Sequence, residues 1–154
     1  MKTKVLTILF ISYIFLIILH FFLVNKENPA ILNEPAWDSQ LTKNTFYKLC
    51  ADCHSNETRW PWYSNLPPVS FLVYYDVMEG REHFNISEYR KEDGTKSAYE
   101  FKKGEMPLRI YNITHPEVNL TKEERERFIQ GLESTFGKYY REKLERNLYN
   151  HEEE

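Results

Sequence analysis

The hydrophobic pattern divides the chain at residue 24. Val5 to Val24 reads VLTILFISYIFLIILHFFLV, with 17 apolar residues of 20 interrupted only by Thr7, Ser12 and His20. At 1.5 Å per residue such a run spans about 30 Å, the thickness of bilayer hydrocarbon. It is longer than the apolar core of a cleaved signal, and no small-residue cleavage pattern follows, so residues 1–24 are expected to form an uncleaved transmembrane signal anchor. His20, near its far end, can reach the interface. Asn25 to Ala36 holds Pro29 and Pro35 without periodicity, and 25–37 reads as a linker. Asp38 or Ser39 can cap a helix that Leu41, Thr45, Lys48 and Leu49 carry to Cys50. Three prolines forbid continuous helix in Arg59–Pro68, whose aromatic residues demand an ordered loop. Pro68 suits the first turn of another helix, with Phe71, Leu72, Tyr75 and Met78 as its apolar stripe and its end at Gly80 or soon after. Met78 is read as a core residue. A short helix is expected from about Lys96 to Lys103. Thr121 with Glu124 forms a capping pattern ahead of Phe128, Ile129 and Leu132. Beyond Gly137, Tyr140, Leu144 and Leu148 predict an amphipathic helical tail over 137–154. No strand pattern or repeat emerges, so the fold class is all-α, with a folded domain over 38–136.

Composition sharpens this division. The first 24 residues hold 18 apolar residues, while the other 130 are polar and carry 19 Val, Ile and Leu against 19 Phe, Trp and Tyr. A large aliphatic core is excluded. After residue 24 there are 18 basic and 23 acidic residues, a net charge of −5 that argues against nucleic acid as a partner. Lys2 and Lys4 precede the apolar run, and Lys26 alone follows it before residue 43. The positive-inside rule then places the N-terminus in the cytoplasm and the rest across the bilayer, the periplasmic face in a bacterium. Cysteines there meet an oxidising compartment.

The only two cysteines stand in Cys50-Ala51-Asp52-Cys53-His54, the spacing of a c-type haem attachment site. Two thiols three residues apart on a turn can each form a thioether with a haem vinyl group, which holds the adjacent histidine beneath the iron. A zinc site would need about four ligands, and a redox dithiol would want a βαβ surround that the pattern lacks. A lone structural disulfide remains as an alternative. On the far side of the iron, Met106 in Gly104-Glu105-Met106-Pro107 is the candidate second ligand, held on an irregular segment by a glycine and a proline; otherwise it fills a core gap. His83 and His115 compete for that role, and His151 reads as solvent-exposed.

From Cys50 to about Leu132 the chain resembles the haem-binding domain family of small C-x-x-C-H proteins, related to class I c-type cytochromes. The resemblance rests on Cys50 to Ser64 (CADCHSNETRWPWYS), on Gly80 to Ser87 (GREHFNIS), and on Gly104 to Pro107 followed by His115-Pro116-Glu117. It implies a small cytochrome c-like helical domain around one covalent haem c, with His54 proximal and Met106 distal. The stretch from Glu88 to Lys103 is short for the family, and Tyr89 stands where tryptophan is expected. Trp60, Trp62, Tyr63, Phe71 and Phe84 are candidate wall residues, with ordinary aromatic packing as the plain alternative. Lys43, Lys48, Lys102, Lys103 and Arg109 are candidates to steer an acidic redox partner, the plainer reading being solvated side chains. Asn-x-Ser/Thr triplets at Asn56, Asn85, Asn112 and Asn119 fall in or beside these blocks and read as chance.

The functional expectation is a membrane-anchored monohaem electron carrier whose iron passes single electrons to a membrane-bound or periplasmic redox partner, with the question of enzymatic activity left open. The alternative is a haem-based sensor or peroxidase-like protein with an open distal site, in which His83 or Arg81 acts.

Overall fold

The computed structural model describes residues 2–90 and 93–139, so the expected tail helix lies outside the described residues apart from its first three positions. Among the described residues every regular element is helical, with one isolated bridge, Asn33 to Glu88, and no strand. It divides into two compact units, one from Met1–Glu34 and Ala51–Glu88, the other from Pro35–Cys50 and Tyr89–Glu154.

The first unit begins with α1, Lys2–Leu23, long and apolar enough to cross a membrane. Its side chains are largely exposed. His20 is the exception. It is buried, its Nδ1 is 2.9 Å from the Ser70 hydroxyl, and its ring meets that of Phe71 edge-on. The segment read as a linker is tied down. Leu32 and Asn33 donate their backbone N–H groups to the Ser87 carbonyl, Asn28 bonds the Thr58 carbonyl, and Ala30 accepts from the Asn56 amide.

Two further helices complete this unit. The short α3, Ala51–His54, lies against α4, Val69–His83, which starts after Pro68 as expected and ends as Phe84 N–H bonds the Gly80 carbonyl. A 3-10 turn, Trp62–Asn65, occupies the proline-rich loop between them. Gly80 explains the close approach: a Cβ there would stand 2.5 Å from the Cys53 carbonyl oxygen. The inward residues of α4 are small, Ser70 and Val77, whereas Leu72, Tyr75 and Met78 are 65, 60 and 42 % exposed. The expected apolar stripe therefore does not form the core, and Met78 is not a core residue. A helix that must let another backbone this close puts small side chains inward and leaves bulky ones outside.

The second unit opens with α2, Gln40–Leu49, capped by Ser39, whose hydroxyl accepts from Thr42 N–H at 3.1 Å. α5, Ser97–Lys103, follows a 3-10 turn and ends where Gly104 turns left-handed at φ 79°. The six-residue α6, Arg109–Thr114, and a turn at Pro116–Val118 have no counterpart in the hydrophobic pattern, because Ile110 and Ile113 face outward. α7, Lys122–Phe136, has the expected capping box, with Glu124 N–H donating to Thr121 Oγ and the Glu124 carboxylate accepting from Thr121 N–H. Phe46, Leu49, Phe101, Phe128, Leu132 and Phe136 make the core, with Trp37 packed on Phe46 and Phe136. This is an aromatic core, as the composition requires.

Candidate haem-binding site

The Cys50-to-His54 motif starts where α2 stops. Cys50 is the C-cap of α2, its N–H bonded to the Phe46 carbonyl at 2.8 Å, and α3 begins at the next residue. Both cysteines are partly exposed. The turn carrying Cys53 and His54 is braced by polar side chains that follow it in sequence. Asp52, buried, takes Arg59 in a two-pronged ion pair with both contacts at 3.0 Å and accepts a third bond from Arg59 N–H. Thr58 Oγ donates to the Asp52 carbonyl, and Ser55 Oγ donates to that of Ala51. The bidentate pair is the stronger kind of charged contact, and here it pins a short helix that has too few internal bonds to hold itself.

The chain after α4 supplies the other brace. His54 donates its Nδ1–H to the Phe84 carbonyl at 2.9 Å, and Ile86 N–H bonds the His54 carbonyl at 2.9 Å. Ser87 Oγ accepts from Asn56 N–H, and the Asn85 amide donates to Asn56 Oδ1 at 2.8 Å. Asn56 and Asn85 are buried and fully engaged in this network, consistent with the reading of their triplets as chance. Arg81 reaches from α4 to four acceptors: the Ser55 and Glu27 carbonyls, Asn28 Oδ1 and Thr58 Oγ. Sequence reasoning missed these roles of Asp52, Arg59, Arg81 and Ser87. The signal was present as polar residues crowded into the two blocks CHSNETR and GREHFNIS, too dense for solvated loops.

The fixed Nδ1–H sets the tautomer of His54 and leaves Nε2 as its lone-pair donor. Withdrawal of the ring from water lowers its pKa below the ordinary 6.5, partly opposed by the Phe84 and Gly80 carbonyls, so the imidazole is neutral at pH 7. A neutral, oriented imidazole is what a metal ligand requires. Burial pushes the Cys53 thiol up to about 12, with the charges of Asp76 and Asp52 adding and Arg81 opposing. Among the described residues no group of three His, Cys, Asp or Glu side chains is placed to hold a metal ion.

The other candidates are dispersed. Trp60 is half-buried, and its Nε1–H is buried without an acceptor, a donor suited to a carboxylate such as a haem propionate. Tyr63 is half-buried in the 3-10 turn and Phe84 is buried with its ring 5.9 Å from that of His54. Trp62 is 75 % exposed and does not line the interior of its unit. Met106 belongs to the second unit, just after the Gly104 turn, and is 37 % exposed. His83 projects from the end of α4, 74 % exposed at its side chain, with Nδ1 on the Glu79 carbonyl. Lys103 pairs with Glu105 at 3.7 Å and lies over the Tyr99 ring.

Among the described residues the regular elements are all helical, a neutral, oriented His54 directly follows Cys53 in the sequence, and Trp60, like Trp37, has a buried indole N–H without an acceptor; the first two of these features suit a haem-binding protein. Comparison with known families agrees: the model of the haem-binding domain family matches residues 14–134, and the chain belongs to that family. No curated protein and no solved structure matches it.

Proposed function

We propose that this protein is a membrane-anchored monohaem c-type cytochrome that carries single electrons, with its haem domain on the periplasmic or outer side. The observation that carries this reading is the bond from His54 Nδ1–H to the Phe84 carbonyl, which reserves Nε2 for iron next to the two cysteines. When bound, haem supplies an iron that changes oxidation state by one electron. Cys50 and Cys53 would hold it covalently, His54 would be the proximal ligand and Met106 the distal one. Trp60 Nε1–H would donate to a propionate. Asp52 and Arg59 keep the attachment turn in one conformation, which limits the rearrangement that accompanies a change of charge.

Electron transfer is favoured over ligand chemistry by Arg81. A sensor or peroxidase-like site working through Arg81 would need that guanidinium released to act on a bound ligand, whereas here it holds four protein acceptors. α1 would anchor the chain, with Lys2 and Lys4 keeping the N-terminus in the cytoplasm, and the redox partner would be a membrane-bound or periplasmic protein.

The test is expression of the full chain in a host with cytochrome c maturation, followed by intact mass under denaturing conditions and spectra of both redox states. A gain of one haem with a six-coordinate, low-spin spectrum supports the reading. An unmodified mass, or one two hydrogens short from a disulfide, refutes it. Ready carbon monoxide binding by the reduced protein at neutral pH would instead favour the sensor.

A further inference from the structure

Within the first unit, α4 is sorted end to end and not face to face. From Trp60 to Tyr75 the sequence contains no acidic or basic residue, while Asp76, Glu79, Arg81, Glu82 and His83 all lie in the second half of the helix. Around its uncharged end, Trp62, Leu66, Val69 and Leu72 are all exposed, with Leu66 and Val69 at 45 and 41 %. Large apolar side chains gathered at one end of a helix call for a partner that is itself apolar.

α1 shows which partner. His20 is bonded to Ser70 and packed on Phe71, so the first turn of α4 is held against the last turn of α1. Just beyond α1, Lys26 bonds the Ser64 carbonyl and the Asn65 side chain, tying the 3-10 turn to the same place. His20 lies three residues before the end of α1, about 4.5 Å of helical rise. The start of α4 therefore stands at the level where the apolar run of α1 ends. Any bilayer that α1 crosses brings its interface to this patch. Indole and aliphatic side chains together suit that zone, where an amphipathic ring meets headgroups and alkyl groups meet the upper acyl chains. The haem would occupy the other end of α4, because α3 meets it at Gly80, about 12 Å along the axis from Leu72.

We propose that Trp62, Leu66, Val69 and Leu72 enter the lipid interface beside the exit of α1, so that the haem-binding unit is seated on the membrane and not held above it. This rests on the reading of α1 as a membrane helix.

The full-length, haem-loaded chain in vesicles of phosphatidylcholine and phosphatidylglycerol tests it. A photoreactive diazirine amino acid replaces Phe10, Trp62, Leu72 or His83, all of them outward-facing, and adducts are identified by mass. Lipid adducts at 10, 62 and 72 and none at 83 are the expected result. Adducts at 10 without any at 62 and 72 would overturn the seating and leave the membrane helix intact. Adducts at 62 or 72 with haem or with a second copy of the chain would also overturn it. No lipid adduct at 10 would remove the membrane helix, and this inference with it.

Discussion

His54 and Met106 pose different demands although both are proposed as ligands of one iron. His54 is prepared in advance: its ring is oriented by Phe84 and kept neutral by its removal from water. That lowered pKa has a consequence for the haem-free chain. The unfolded state binds a proton more readily than the folded state, so the contribution is full above about pH 6.5 and is lost as pH falls below it. The melting temperature of haem-free protein should drop between pH 7 and pH 5, and His54→Asn should flatten that part of the profile; an unchanged slope would show that another group titrates. Met106 is less prepared, being part exposed on an irregular segment. Met106→Ala should leave the haem attached while opening the sixth position and lowering the potential on the order of 0.1 V, within the roughly 0.8 V that axial ligands span. Potentiometry with carbon monoxide binding checks it, and identical values in both proteins would return Met106 to an ordinary packing role.

The elements divide into those that hold themselves and those held by others. α7 belongs to the first kind, and Thr121→Ala should destabilise the chain by about 1 kcal/mol in urea unfolding through the lost capping box. α3 belongs to the second, with one helical turn and its support coming from Arg59, Arg81 and the residues after α4. Gly80→Ala should drive α4 from the Cys53 backbone, destabilising the unit by about 1–3 kcal/mol and reducing haem content on expression. Full haem content and unchanged stability in Gly80→Ala would contradict the close packing. The same distinction explains what the sequence made legible. α1, α2 and α7 announce themselves by a long apolar run, a Ser cap and a capping box. The inward face of α4 did not, because periodicity weighs bulk, and the residues facing inward are Ser70, Val77 and the close-approach Gly80. α6 was silent for a related reason, since its isoleucines are outside. At the candidate site, spacing alone singles out the cysteines and His54 as candidates, but the Phe84 carbonyl that orients His54 leaves no trace in side-chain chemistry.

For the whole molecule, the separation of an apolar first segment from an acidic, aromatic remainder is the dominant physical fact. If Lys2 and Lys4 set the orientation of α1, replacing both with glutamate while adding lysines after Val24 should invert the topology in a large share of molecules. Protease protection in sealed vesicles measures that share, and complete retention of the original orientation would show that the folded remainder decides it. Haem loading should fall in parallel, because attachment in the proposed reading happens only outside the cytoplasm.

The hydrogen-bonded course of Asn28 to Asn33 bears on how the proposed carrier would meet other proteins. A free segment of ten residues would let its cargo sweep a radius of roughly 17 Å about the membrane exit, and encounters would be governed by its length. Fastened to Ser87, Thr58 and Asn56, this segment permits no such sweep. In the proposed reading, meetings with a redox partner would then depend on lateral diffusion in the plane of the bilayer, and lengthening the segment would gain nothing unless those bonds were broken first.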